Sequence, residues 1–396
     1  MQNKNEQRIF PVIGRRGLRH SLRYAECAMP KHYRVVVIGH TNRGNYGHAV
    51  DTAWLSISQT DIVAVADANK GGMVTAARRL KVDRAYLDYR KMLDETKPDI
   101  VAICPRWVDQ HRDMAVYALE RGSHVYMEKP FCRTLAEADE IVAACEKSHT
   151  KLAVALPTRY SPKLNTIKEL IASGKIGKVL EYRGRGKEDS RGGGLDLWVL
   201  GTHVMDMIHA IGGRPNWCYA KVKADGKSVT KQDVIDGVEG IGPLAGDHVQ
   251  AMYGMPDRAT AYFGSKKDRA GRPSRYGLQI FGSRGIIELL EGVVPSVKYL
   301  PDTSWSPGRS GAQWHNVSSA GIGKPEPLTG EKYKARHALA ILDLIDAIEK
   351  NRQPLCGVYT VRETTEMIAA VFESHRLSKP VTFPLENREN PLTLLS

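Results

Sequence analysis

No stretch of this chain approaches 18 consecutive apolar residues, so the sequence offers no candidate for a membrane-spanning helix. Its six cysteines, at positions 27, 104, 132, 145, 218 and 356, include no C-x-x-C pair. Scattered thiols of that kind exclude a disulfide framework or a zinc site as expectations and fit a reducing, cytoplasmic setting. Arg15, Arg16, Arg19 and Arg23 are followed by no apolar run, so a secretory or twin-arginine signal is not expected. RNP-type aromatic motifs, zinc fingers, a basic helix and internal repeats are also missing, which argues against nucleic acid as a partner.

What is there is a composition for globular folding. With 42% hydrophobic and 26% charged residues, 396 residues are too many for one ordinary core and suggest two domains. The formal charge of +13 is uneven: residues 1–34 carry eight Lys or Arg against two Asp or Glu, leaving +7 for the rest. A basic pocket for an acidic or phosphorylated small molecule is the better use of that remainder. Met29-Pro30-Lys31 directly precedes the first strand pattern. Two expectations follow: Met29 is the biological start, or residues 1–30 form a disordered arm.

Between residues 33 and 156, apolar β-branched runs at 33–38, 61–66, 99–103, 124–127 and 152–156 alternate with helical patterns. The runs lack in/out alternation, as strands covered on both faces do. Thr134 and Glu137 are spaced as a capping box ahead of an apolar stripe, and Asp109 is placed to cap the preceding helix. This alternation predicts a doubly wound parallel sheet. Ser161-Pro162 then opens a helix ended by Gly174. Strand-like runs at 179–185, 219–223, 249–253, 259–264, 276–281 and 286–290 predict a mainly antiparallel sheet. Residues 301–330 read as a long loop. Two helices follow, at 335–350 and after a Thr360/Glu363 capping box.

The polar groups gather at strand ends. The run before Glu128-Lys129-Pro130 delivers a charged pair to the carboxyl rim of the sheet, where open α/β sheets bind ligands. The first strand runs into Gly39-His40-Thr41-Asn42-Arg43-Gly44, then Asn45-Tyr46-Gly47-His48 and a helical pattern. Gly39 and Gly44 have the outer spacing of G-x-G-x-x-G, with Thr41 in place of the middle glycine. Asp67 ends the second strand 23 residues beyond Gly44. It reads either as an acceptor for both adenine-ribose hydroxyls, favouring NAD over NADP with Lys70 softening the preference, or as a helix cap. Cys104-Pro105-Arg106 ends the third of these strands, and His111 alone reads as a packing or capping residue. Farther on, Gly192-Gly193-Gly194 leads into Asp196, His203 and Asp206. Asp206, one helical turn after His203, is placed to orient its imidazole.

Together these features resemble the glucose-fructose oxidoreductase/inositol dehydrogenase/MocA-like (Gfo/Idh/MocA) family of NAD(P)-dependent oxidoreductases. The likeness is carried by residues 39–44, Asp67, Pro105 with His111, Glu128-Lys129-Pro130, Arg159-Tyr160 and Gly201-Thr202-His203-Val204-Met205-Asp206. The charge count sets residues 1–32 apart as a basic extension, and the resemblance implies an NAD(P)-binding Rossmann domain at 33–156 and a substrate-binding and oligomerisation α/β domain at 157–396 with a large open sheet. It implies Gly39, His40, Thr41, Arg43, Gly44, Asp67, Pro105, His111, Glu128, Lys129 and Arg159 around the cofactor, and Lys129 and His203 at the reacting hydroxyl, with no metal. A homo-oligomer, dimer or tetramer, is also implied. One departure stands out: many members carry a carboxylate four residues before the histidine, where this chain has Val199. Asp196 is the candidate replacement.

Three functions are compatible with that pattern. The first is NAD-dependent hydride transfer at a secondary carbinol of a sugar, cyclitol or polyol. The second is a redox-neutral, NAD-assisted glycosidase or lyase acting through a transient ketosugar. The third is a cofactor-binding regulator without catalysis.

Overall fold

The computed structural model describes residues 31–292, 295–327 and 332–396, with side chains for all of these except 332–336. The expectations for residues 1–30 lie outside the described residues. His32–Ser396 is one compact unit built on two sheets.

The first sheet has six parallel strands: β1 (Tyr33–Gly39), β2 (Thr60–Asp67), β3 (Ala85–Tyr86), β4 (Ile100–Ile103), β5 (His124–Met127) and β6 (Leu152–Val154), in the order β3-β2-β1-β4-β5-β6. Helices α1 (Lys70–Leu80), α2 (Tyr89–Thr96), α3 (His111–Leu119) and α4 (Leu135–Ser148) connect them. The central strands are apolar without alternation because both faces are buried: Val35, Val36, Val37, Ile100, Val101, Ala102 and Ile103 are all fully enclosed. Chain order reverses between β1 and β4, and the crevice at such a switch point lies beyond the carboxyl ends of the strands. That rim therefore receives residues 39–48, Asp67, residues 104–111 and residues 128–130.

The helix expected after the glycine loop does not form there. Asn42, Gly44, Asn45, Gly47 and Ala49 all have positive φ, which breaks any helical run, and only a short 3-10 turn at Thr52–Ser56 follows. The capping expectations are also revised. Thr134 does accept from the Glu137 amide at 3.2 Å, but Glu137 turns to Arg133 instead of closing the box. Asp109 pairs with Arg43 and caps nothing. Glu363 pairs with His209 and Arg214, and Gly357 caps the last helix.

The second sheet follows α5 (Pro162–Ala172). In chain order come β7 (Val179–Arg185), α6 (Gly194–Val199), α7 (Gly201–Gly212), β8 (Trp217–Ala224) and β9 (Lys227–Ser228), then a separate hairpin of β10 (Ile235–Gly237) and β11 (Gly242–Leu244). Next are β12 (His248–Gly254), β13 (Thr260–Lys266), β14 (Gly277–Gly282), β15 (Gly285–Leu290), β16 (Ser296–Leu300), the single-turn α8 (Pro307–Ser310), β17 (His315–Ser318) and β18 (Gly321–Ile322). The chain closes with α9 (Lys332–Glu349), α10 (Val358–Leu377) and β19 (Val381–Thr382). Eleven strands pair in the order β18-β17-β16-β15-β14-β7-β13-β12-β8-β19, with β9 beside β8. Every pairing is antiparallel except β7 with β13. The expected loop at 301–330 thus holds two short strands, recruited by the open edge of β16.

Candidate active site

Lys129 lies two residues beyond the end of β5 and turns its side chain to the second sheet's half, where Nζ donates to the Val199 carbonyl oxygen at 2.8 Å. Burial lowers its pKa below the ordinary lysine value, against the opposing pull of Glu128 and Glu239. The residue before it, Glu128, is 1% exposed and accepts from His48 Nδ1 at 3.0 Å. Burial alone would raise this carboxyl. The hydrogen bond from His48, with the charges of His48, Lys129 and His337, outweighs burial and holds the pKa at about 2.

These residues share a cavity of about 350 Å³ with His203, which stands in the first turn of α7. Lys187, Tyr276, Glu291 and His337 complete its polar wall. Tyr276 donates to the Leu200 carbonyl at 2.7 Å and Glu291 accepts from Thr158 at 2.9 Å. His337 comes from α9, and its Nδ1 lies 2.8 Å from the Tyr126 hydroxyl and its Nε2 3.1 Å from the His48 carbonyl oxygen. The two halves of the fold therefore meet at a space walled by two lysines, three histidines and two carboxylates. Such a wall can hold a polyhydroxylated molecule and move a proton from it.

A second cleft, of about 210 Å³, opens on the same rim where β1 and β2 end. Gly39, His40, Asp67, Arg90 and Gln110 line it. His40 Nδ1 lies 2.7 Å from Gln110 Oε1. Arg43 reaches across to Asp109 and lies over the Trp107 ring. Gly44, at φ +85°, carries the turn, and its carbonyl accepts from the Arg106 amide at 3.1 Å. The two spaces suit the two halves of a dinucleotide: a narrow cleft against a glycine turn for the adenosine half, and the Lys129 cavity for the nicotinamide half.

Other expected site residues are placed elsewhere. Asp196 is fully buried, accepts from Ser265 and from the Glu188 amide, and does not line the cavity. Burial raises its pKa against those hydrogen bonds, which tie α6 to β13 and to the segment after β7. Asp206 does not orient His203 either: it receives Arg159 through Nε at 2.8 Å and through an ion pair at 2.7 Å. Arg159 is thereby engaged by α7 and lines neither the Lys129 cavity nor the cleft at the ends of β1 and β2. His111 is fully buried, its ring nitrogens 2.8 Å from the Pro130 carbonyl oxygen and 2.7 Å from that of Pro105. It braces the two proline corners of the rim. His48, Lys187, Tyr276, Glu291 and His337 were not anticipated. His48 had a signal, its place in the glycine loop, but the His337–Tyr126 contact spans 211 residues and leaves no local trace.

Comparison with known proteins agrees with this fold. Residues 33–156 match the model of the GFO/IDH/MocA oxidoreductase family, NAD-binding Rossmann fold, and residues 164–288 match the GFO/IDH/MocA C-terminal domain. Levoglucosan dehydrogenase of Pseudarthrobacter phenanthrenivorans is 26% identical over 248 residues, 56% of this chain and 63% of that protein. D-apiose dehydrogenase of Paraburkholderia graminis is 32% identical over 125 residues, 32% of this chain and 33% of that one. The matched segments thus span less than two thirds of these relatives. In structure, levoglucosan dehydrogenase in complex with NADH and levoglucosan aligns with a TM-score of 0.72 at 21% identity, covering 90% of this chain and 100% of the other. At that identity the likeness is one of fold.

Proposed function

The chain belongs to the GFO/IDH/MocA oxidoreductase family, and from that premise we propose that it transfers hydride between NAD and a secondary carbinol or ketone of a sugar, cyclitol or related polyol. Residues 33–156 hold the dinucleotide, and residues 157–396 supply the substrate wall and an oligomer interface. The observation that carries the reading is the convergence of Lys129 and His203 on one cavity at the carboxyl rim. A bound nicotinamide supplies the hydride acceptor. His203 takes the hydroxyl proton as the carbinol is oxidised and returns it in the reverse direction. Lys129, kept in place by the Val199 carbonyl, donates to the reacting oxygen and stabilises the negative charge that develops there. Glu128 fixes His48 beside it, and His111 braces the Pro130 corner from behind. The five described cysteines are free and buried, in keeping with a cytoplasmic protein.

The test is a panel of levoglucosan, D-apiose, myo-inositol and related polyols, with NADH formation followed on the wild type and Lys129→Ala. Turnover of at least one member is expected, falling by about 10²–10⁴-fold in the variant while NADH binding is kept. Near-wild-type turnover without Lys129 would sink the assignment. Val199 keeps the redox-neutral glycosidase or lyase as a second reading, because its apolar side chain stands where the family usually has a carboxylate. Aglycone release that depends on NAD, with no NADH accumulating, would select it.

A further inference from the structure

The carboxylate at the end of β2 is occupied by the protein's own donors. Asp67 is 1% exposed. Its Oδ2 accepts from the Thr41 hydroxyl at 2.7 Å and from the Tyr46 phenol at 2.9 Å. Its Oδ1 accepts from the Asn69 amide at 2.9 Å, and the Thr41 amide lies 3.1 Å from both oxygens. A carboxylate offers about four lone-pair sites, so these donors fill it. The space is filled as well. A Cβ built on Gly39 would stand 2.1 Å from the Tyr46 ring, and one on Gly72 would stand 1.9 Å from the Thr41 hydroxyl. The room that both glycines leave open is taken by this chain's side chains. Yet Gly39 and Asp67 still form part of the cleft wall.

The donors to Asp67 differ in how easily they leave. The Thr41 and Asn69 amides belong to the backbone turns that shape the rim, and the Thr41 hydroxyl comes from the same turn. Tyr46 reaches Asp67 from the far side of the loop with its ring under the Arg79 guanidinium, 4.6 Å from the ring centre. A side-chain rotation alone frees its hydrogen bond. We propose that Tyr46 holds the position of the adenine-ribose diol on Asp67 and yields it when the nucleotide enters, so that Tyr46 sets cofactor affinity. The inference rests on the dinucleotide reading above. One O–H donor leaves Asp67 as a ribose hydroxyl arrives, and the carboxylate adds orientation while contributing little net affinity.

The test is the Tyr46→Phe variant, which keeps the ring and removes the phenol. Dissociation constants are measured by calorimetry for NADH, for ADP-ribose and for nicotinamide mononucleotide, which lacks adenosine. NADH and ADP-ribose are expected to bind about tenfold tighter to the variant, the scale of one hydrogen bond to a charged group, with the mononucleotide unchanged. Equal or weaker NADH binding by the variant overturns the role of Tyr46 and leaves the dinucleotide reading standing. No NADH binding by either protein overturns both. A second measurement does not need the variant: ADP-ribose added to the wild type should perturb the tyrosine ultraviolet spectrum as a phenol leaves a carboxylate. A flat difference spectrum with ADP-ribose bound overturns the displacement.

Discussion

At residue scale, Glu128 is a carboxylate that stays ionised although it is 1% exposed, because His48, Lys129 and His337 outweigh the cost of its burial. Its folded pKa of about 2 lies below the ordinary 4.5, so the folded state binds this proton less readily than the unfolded chain. The stabilisation is therefore complete above pH 4.5 and is lost as pH falls from 4.5 toward about 2. A shift of that size corresponds to roughly 3 kcal/mol, a large part of a typical domain's stability. Urea unfolding above and below pH 4.5 checks it: the wild type should lose stability across that window, and Glu128→Gln should lose less. Equal acid losses in the two proteins would remove Glu128 from the account. The same corner shows why Val199 is tolerated. Lys129 is held by the backbone carbonyl of residue 199, which does not depend on the side chain there.

At the scale of elements, a buried ion pair ties the turn after β6 to α7. Arg159 and Asp206 have side chains 10% and 2% exposed. Burial would lower the Arg159 pKa, but Asp206's charge and hydrogen bonds outweigh it and leave the net shift upward. Removing one partner of such a pair leaves the other charged in a dry site, at a cost of roughly 3–5 kcal/mol. Asp206→Ala should therefore lower the chemical unfolding free energy by about that much while leaving the NADH dissociation constant unchanged; a loss of NADH affinity at intact stability would return Arg159 to the cofactor. That exchange of roles marks the limit of what was legible. Five strands of the first sheet could be read because runs such as Val35-Val36-Val37 and Ile100-Val101-Ala102-Ile103 are buried on both faces, and burial on both faces writes itself into composition. The Lys129 corner and His203 were legible because each sits where an element ends or begins. The partners of Arg159, Asp196 and Asp206 were not, since each is chosen by packing between segments far apart in the chain. The turns at 40–51 were partly hidden: Asn42 and Asn45 are of a type enriched at positive φ, whereas the positive φ of Ala49 leaves no trace in the sequence.

At the scale of the whole molecule, α10 stitches the two cores together. Val358 and Val361 at its start pack with the first sheet, and the run from Met367 to Phe372 packs with the second. A single 20-residue helix, about 30 Å long, thus spans from one hydrophobic cluster to the other, and α9 joins the first cluster beside it. With α7 and α10 covering one face of the eleven-stranded sheet, the opposite face is left with Arg183, Gln250, Tyr262, Gln279, Glu288 and Lys298 around a broad concavity. Tyr262 stands 38% exposed on β13, an aromatic ring on a face otherwise lined by polar and charged side chains. An amphipathic sheet of this size suits a symmetric contact between copies, where each partner of a stable interface buries about 800 Å². Sedimentation of the wild type should then give a dimer or tetramer at micromolar concentration, and Tyr262→Glu should shift it to monomer while its circular-dichroism spectrum stays that of the folded wild type. A monomeric wild type, or a Tyr262→Glu variant that sediments unchanged, would place the interface elsewhere or remove it. The outcome also bears on the site, because β7 leads through Lys187 into the cavity wall, so an interface across β7 would brace the wall that faces Lys129.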